Sequence, residues 1–162
     1  MSRTILKSLL LCIVISLLFF GCVKREFSND TWCVEIVSYE FLKVDGEYND
    51  LLLKLERKNE PLAIQLKLDY IGPTGKTRMP DIYIREGLEK TVRPYLAHSI
   101  AGKGDKEKIA MLLKKDYYTE VEVKNGQQIF GEEGCILVFN SDKDITKFGL
   151  VVDNLPPILI KP

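Results

Sequence analysis

Histidine is almost missing from this sequence: His98 is the single one in 162 residues. No second histidine and no cysteine stands near it at zinc-ligand spacing, which disfavours a zinc site. A nucleophile–base pair could use this imidazole alone, and no Gly-x-Ser-x-Gly elbow accompanies it. His98 is therefore read as a loop residue. Net charge is also lacking, with 23 Lys and Arg against 23 Asp and Glu. Without a basic block there is no electrostatic footprint for nucleic acid. No internal repeat or low-complexity segment stands out. A long hydrophobic run is missing as well. The apolar stretch Leu9 to Phe20 has twelve residues, about 18 Å of helix against the ~30 Å of a hydrocarbon core.

Two loops come close to ligand motifs and miss. "GPTGKT", Gly72 to Thr77, resembles a phosphate loop, but Tyr70 stands where the first glycine belongs. Pro80 would also interrupt the helix such a loop must start. "NSDKDIT" sets Asn140, Asp142 and Asp144 at alternate positions, yet Ile145 and Val151 occupy the places of the calcium loop's Gly and Glu. Both are read as solvated turns, as is Glu132-Glu133. No metal and no cofactor is implied, and no catalytic residue is assigned.

The stretch "SLLFFGCVKREFSND", Ser16 to Asp30, is where the composition changes. Arg3 and Lys7 precede the short apolar run, and no acid occurs before Glu26. A basic start, a short apolar centre and a small residue at its end describe an export signal. Gly21-Cys22 after Leu17-Leu18-Phe19-Phe20 resembles the lipobox of bacterial prolipoproteins, with Phe19-Phe20 departing from the strict pattern. That resemblance implies removal of residues 1–21 and diacylglycerol on the Cys22 thiol. It also implies attachment to a membrane of the bacterial envelope. Val23, rather than Asp, follows the cysteine, which favours the outer membrane over the inner. More than one acyl chain is needed for stable anchoring, since a single chain binds only marginally. The mature chain would have 141 residues, with 21 basic side chains once Arg3 and Lys7 are gone, against 23 acidic. That size suits one core and one domain.

Cys33 and Cys135 remain in a non-reducing compartment. They are candidates for a disulfide; two small buried hydrophobes in separate strands is the other reading.

The rest of the chain has strand periodicity. Residues 22–30 lack it and are read as a tether, leaving 31–162 as the domain. In "TWCVEIVSYEF" strict alternation places Cys33, Glu35, Val37, Tyr39 and Phe41 on one face, with Trp32, Val34 and Ile36 on the other. "LLLKLERK" and "PLAIQLKLDY" read as a hairpin about Asn59-Glu60-Pro61. In the second strand Leu62, Ile64, Leu66 and Leu68 face inward, and Ala63, Gln65, Lys67 and Asp69 face outward. Weaker strands fall at 81–85 and 91–96. Residues 105–115 form the one helical candidate, with Asp105 as cap, Lys114-Lys115 in the last turn and Ile109, Leu112 and Leu113 as its apolar stripe. Strands "YYTEVEV", "GCILVFN" and "ITKFGLVVDN" follow, and Pro156-Pro157 imply an extended end. Seven to nine short strands with regular turn signals predict an all-β antiparallel sandwich.

Residues 121–154, "VEVKNGQQIFGEEGCILVFNSDKDITKFGLVVDN", are similar to the last strands of immunoglobulin-like domains in small bacterial lipoproteins. Gly134 to Phe139 carry that similarity. It implies an immunoglobulin-like sandwich and a non-catalytic interaction role, with no functional residues to carry over. The expectation is a membrane-anchored binding or assembly module, facing the periplasm or cell exterior, with a protein partner. A protease inhibitor or chaperone-like protein using a loop or edge strand is the alternative, and a hydrolase is disfavoured. Trp32, Tyr117, Tyr118 and Phe130 are the aromatic candidates for contact with a partner; burial in the core competes for each.

Overall fold

The alternation at Leu62–Tyr70 becomes the central strand of the protein. The computed structural model describes residues 25–42, 61–87, 90–100, 106–113, 118–141 and 147–161. Within them are β1 (Arg25–Ser28), β2 (Trp32–Phe41), β3 (Leu62–Tyr70), β4 (Gly75–Thr77), β5 (Ile82–Glu86), β6 (Lys90–Val92) and β7 (Pro94–Ser99). The short helix α1 (Lys106–Leu112) precedes β8 (Val121–Val123), β9 (Gln127–Gln128), β10 (Cys135–Phe139), β11 (Phe148–Val152) and β12 (Ile158–Ile160). Every pairing is antiparallel.

The larger sheet runs β1-β2-β3-β10-β7, with β9 continuing beside β3. A smaller sheet runs β12-β11-β5-β6, and β4 pairs with β8 as a separate ribbon. Leu62, Ile64, Leu66, Leu68, Leu137 and Phe139 of the larger sheet share one core with Ile82, Ile84, Phe148, Leu150, Val152 and Ile160 of the smaller. The protein is thus an all-β antiparallel sandwich, with one short helix among the described residues. The twelve described strands exceed the predicted seven to nine, because six of them have four residues or fewer. Helix α1 contributes Met111 and Leu112 to the core, with Ile109 and Leu113 packed at its margin; Asp105 and Lys114-Lys115 lie outside the described residues. β12 is an edge strand, as the prolines before it suggest. The strand predicted at "LLLKLERK" and its hairpin fall outside the described residues, as do Asp142, Asp144, Tyr117 and residues 1–24.

Three expectations change. A strand, β1 (Arg25–Ser28), lies within residues 22–30, which lack strand periodicity. β1 folds back on β2 through a tight turn in which Asn29 Oδ1 accepts the amides of Thr31 (2.8 Å) and Trp32 (2.7 Å). That side-chain acceptor replaces the periodicity that the stretch lacks.

The second change is a register shift in β2 between Ile36 and Ser38. Val37 is the extra residue, and beyond it the strand exchanges faces. Tyr39 pairs with Ile64 and Phe41 with Leu62, so both pack on the core beside Trp32, Val34 and Ile36 rather than opposite them.

Third, β10 is buried on both faces, and β3 is so at its start. All five residues of β10 are buried, each contributing about 1.5–3 kcal/mol where the side chain is large and apolar. Ala63, on the outer face as predicted, sits with Leu42, Ile136 and Val138 in a second apolar cluster there.

One charge lies inside this framework. Glu86, 6% exposed, accepts the Ser141 hydroxyl and pairs with the Lys90 ammonium at the end of the smaller sheet.

Candidate functional site

The end of β3 carries the most elaborately built surface among the described residues. β3 runs into the turn Ile71–Thr74, and β8 runs into the turn Lys124–Gln127. The two turns interlock. The Asn125 side-chain amide donates to the carbonyls of Ile71 (2.6 Å) and Gly72 (3.0 Å), and its backbone amide donates to Thr74 Oγ1 (3.2 Å). Gly126 donates to the Tyr70 carbonyl (2.8 Å), and Ile71 to Thr31 (2.9 Å). The Tyr70 hydroxyl donates to Pro73 (2.7 Å). Gly72 crosses the Tyr70 ring so closely that a Cβ would stand 2.8 Å from the phenolic oxygen. Asn125-Gly126 supplies the turn, with Gly126 at φ 76.

Beside this corner the β4–β8 ribbon lines an open groove of about 470 Å³ with Thr74, Gly75, Lys76, Glu122, Val123, Lys124 and Gln127. Lys76 and Glu122 stand opposite each other in the ribbon register. The rim is therefore rich in donors, with two ammonium groups, one carboxylate, a hydroxyl and an amide. Such a set binds polar or anionic groups; it offers no activated nucleophile. Of the "GPTGKT" stretch, read as a turn, Gly72 to Thr74 turn and Gly75–Thr77 are strand β4; Thr74, Gly75 and Lys76 form one wall of this groove.

A second polar feature occupies the outer face of β1, β2 and β3. Register aligns Ser28, Cys33, Asp69 and Gln128 in one row and Glu26, Glu35 and Lys67 in the next. Lys67 pairs with Glu35 at 3.5 Å. Burial, then Glu35, pushes the Asp69 carboxyl above its ordinary value of 3.8, while Lys67 opposes the shift. Burial and the acids Glu26, Asp69 and Glu35 push the Cys33 thiol above 9.0. A raised carboxyl holds its proton longer in the folded state, so its contribution falls as pH rises from 3.8 through the folded value. Asp69→Asn should consequently melt above the wild type near neutral pH, the gain shrinking as pH approaches 3.8. A variant that melts lower at neutral pH would contradict this assignment.

The sequence-predicted site residues are dispersed. Cys22 lies outside the described residues. Cys33 and Cys135 are thiols rather than a disulfide. Cys33 faces outward opposite Asp69, whereas Cys135 is in the core opposite Leu66. β3 lies between them, two strand spacings of ~4.8 Å, and Asp69 and Leu66 stand a further ~10 Å apart along it. A bridge needs Cα atoms within about 7 Å, so the pair is corrected to separate thiols. His98 lies in β7 opposite Ile136 rather than in a loop, with its side chain exposed. Of the aromatic candidates, Trp32 and Phe130 are core residues at 1% exposure, while Tyr118 is 85% exposed. Glu132-Glu133 are an exposed turn, as read.

Among the described residues no group of three or more His, Cys, Asp or Glu is placed to hold a metal ion, and no helix is long and apolar enough to cross a membrane. The corner was missed at the sequence level. Its signal, Asn125-Gly126, was legible as a turn, but nothing local links it to residues more than fifty positions earlier. No protein-family model, curated protein or solved structure matches the chain.

Proposed function

We propose that this chain is a lipid-anchored, non-catalytic binding module of a bacterial envelope, which engages a protein partner at the corner groove. The observation carrying this reading is the donor-rich groove beside two interlocked turns. The first described strand, β1, starts at Arg25, three positions after Cys22 in the sequence. β1 then runs from Arg25 toward the turn at Asn29–Thr31, whose Thr31 carbonyl is bonded to Ile71 of the corner. The proposed binding surface thus lies at the end of β1 away from Arg25.

Cys22→Ser should abolish fatty-acid labelling and release the protein from membranes; unchanged labelling would refute the anchor. A photo-crosslinker at Lys124 should give a discrete protein adduct in cells, and one at His98 should not. Equal adducts at both positions would remove the corner from the proposal.

The β4–β8 ribbon gives the inhibitor or chaperone-like reading its footing. The two strands pair only with each other among the described residues, which leaves outer edges for strand addition. That reading requires stoichiometric loss of protease activity or capture of an extended client.

A further inference from the structure

The outer face of the smaller sheet carries a glycine that no backbone demand explains. Register sets Leu159, Gly149, Arg85 and Thr91 side by side across β12, β11, β5 and β6. Gly149 is outside the left-handed region. A Cβ there would meet Pro157 Cβ at 3.5 Å and Arg85 Cβ at 3.9 Å, which are ordinary contacts. The fold would accept alanine at this position. What glycine leaves is a shallow notch bordered by the Pro157 ring, between Leu159 and Arg85, which stand two strand spacings or about 10 Å apart. Leu159 is 50% exposed at one wall, and Pro157 is exposed beside it.

The other wall is cationic and held in place. The Arg85 and Arg93 guanidinium groups each lie 5.8 Å from the Tyr83 ring centroid. Arg85 also donates weakly to the Tyr83 hydroxyl, at 3.4 Å. Asp81 is already committed to Arg93, which donates to it through both terminal nitrogens. Arg85 makes no such ion pair among the described residues. An aromatic face that orients a guanidinium reduces the freedom it loses on gripping a carboxylate. The row therefore juxtaposes an apolar notch, an exposed leucine and an oriented, solvent-facing Arg85.

We propose that this face docks an extended acidic segment of a partner protein. A carboxylate of the segment meets Arg85, and a neighbouring apolar side chain fills the notch over Gly149 against Leu159 and Pro157. Charge selects the occupant: among the described residues Asp81 on this face is already spent on Arg93, which leaves the Arg85 charge uncompensated. Alternate side chains of an extended chain lie ~7 Å apart on one face, within reach of both features. The face belongs to the other sheet, so its docking depends neither on the corner groove nor on the lipid.

The test uses the full chain in detergent and a short labelled peptide of alternating glutamate and leucine, followed by fluorescence anisotropy at low salt. The peptide should bind, and its lysine–leucine counterpart should not. Arg85→Glu should weaken binding by about tenfold or more. Gly149→Val should weaken it by filling the notch, whereas Lys76→Glu with Lys124→Glu at the corner should leave it unchanged. Unaltered thermal melts of the exposed-residue variants establish that the fold is intact. Absence of binding, equal binding of the lysine peptide, or full binding by Arg85→Glu would each overturn the proposal. Arg85-dependent binding to anionic lipid vesicles without peptide binding would overturn it in favour of a membrane-facing role.

Discussion

Gly134→Ala is expected to unfold the protein or lower its melting temperature by more than about 10 °C. Gly134 immediately precedes β10, where the chain turns onto the central strand. Its φ is +78, a region that an L side chain occupies at a cost of about 1–3 kcal/mol. The added Cβ would also stand 2.1 Å from the Leu66 carbonyl oxygen, 2.8 Å from its carbon and 3.1 Å from Lys67 Cα. These are backbone atoms of β3, which is clamped by β2 on one edge and β10 on the other. They cannot yield as a flexible side chain would, so an overpacking cost of about 1–3 kcal/mol or more adds to the conformational one. The sum reaches a large share of the about 5–15 kcal/mol that holds a domain together. Gly126→Ala is the control. It shares the positive φ, at +76, but its Cβ would meet nothing within 4 Å. Calorimetry should find only the conformational cost there, and equal losses at the two positions would refute the steric argument.

Trp32→Ala should cost about 3–5 kcal/mol, measured by denaturant or thermal unfolding. Trp32 is 1% exposed and meets Tyr70 edge-to-face, with ring centroids 5.2 Å apart and planes at 72°. Its removal leaves a cavity and forfeits an aromatic pair worth about 0.5–1.5 kcal/mol beyond area. The loss also reaches the candidate site, because the Tyr70 ring that rests on Trp32 carries the hydroxyl bonded to Pro73 and forms the platform crossed by Gly72. Tyr70→Phe removes only that hydrogen bond and should cost about 1 kcal/mol. If Trp32→Ala cost no more than Tyr70→Phe, the tryptophan would not be the support assigned to it here.

Neither site of large effect could be ranked from the sequence. Gly134 was legible only as part of a Gly-x-Leu-Val-Phe-like strand start. That its α-carbon rests on Leu66 follows from a pairing across almost seventy residues. Trp32 was one of several aromatics equally suited to a core or a partner surface. Its burial became evident when β3 was placed beside β2.

By itself the sequence determined the elements whose signal is local. The period-two pattern of Leu62 to Leu68 set the inward face of β3. The apolar stripe of Ile109, Leu112 and Leu113 set a short helix, the prolines at 156–157 an edge strand, and the Asn125-Gly126 pair a turn. These follow from backbone geometry within a few residues, where side-chain alternation and turn chemistry act directly. Tertiary structure decided whatever depends on pairing between distant segments. The extra residue Val37 sent Tyr39 and Phe41 to the core, because a register shift reverses every face beyond it. β3 came between Cys33 and Cys135, two turns locked into a corner, and Gly149 fell between Leu159 and Arg85. Alternation says that a strand has two faces; only its neighbours decide what each face meets.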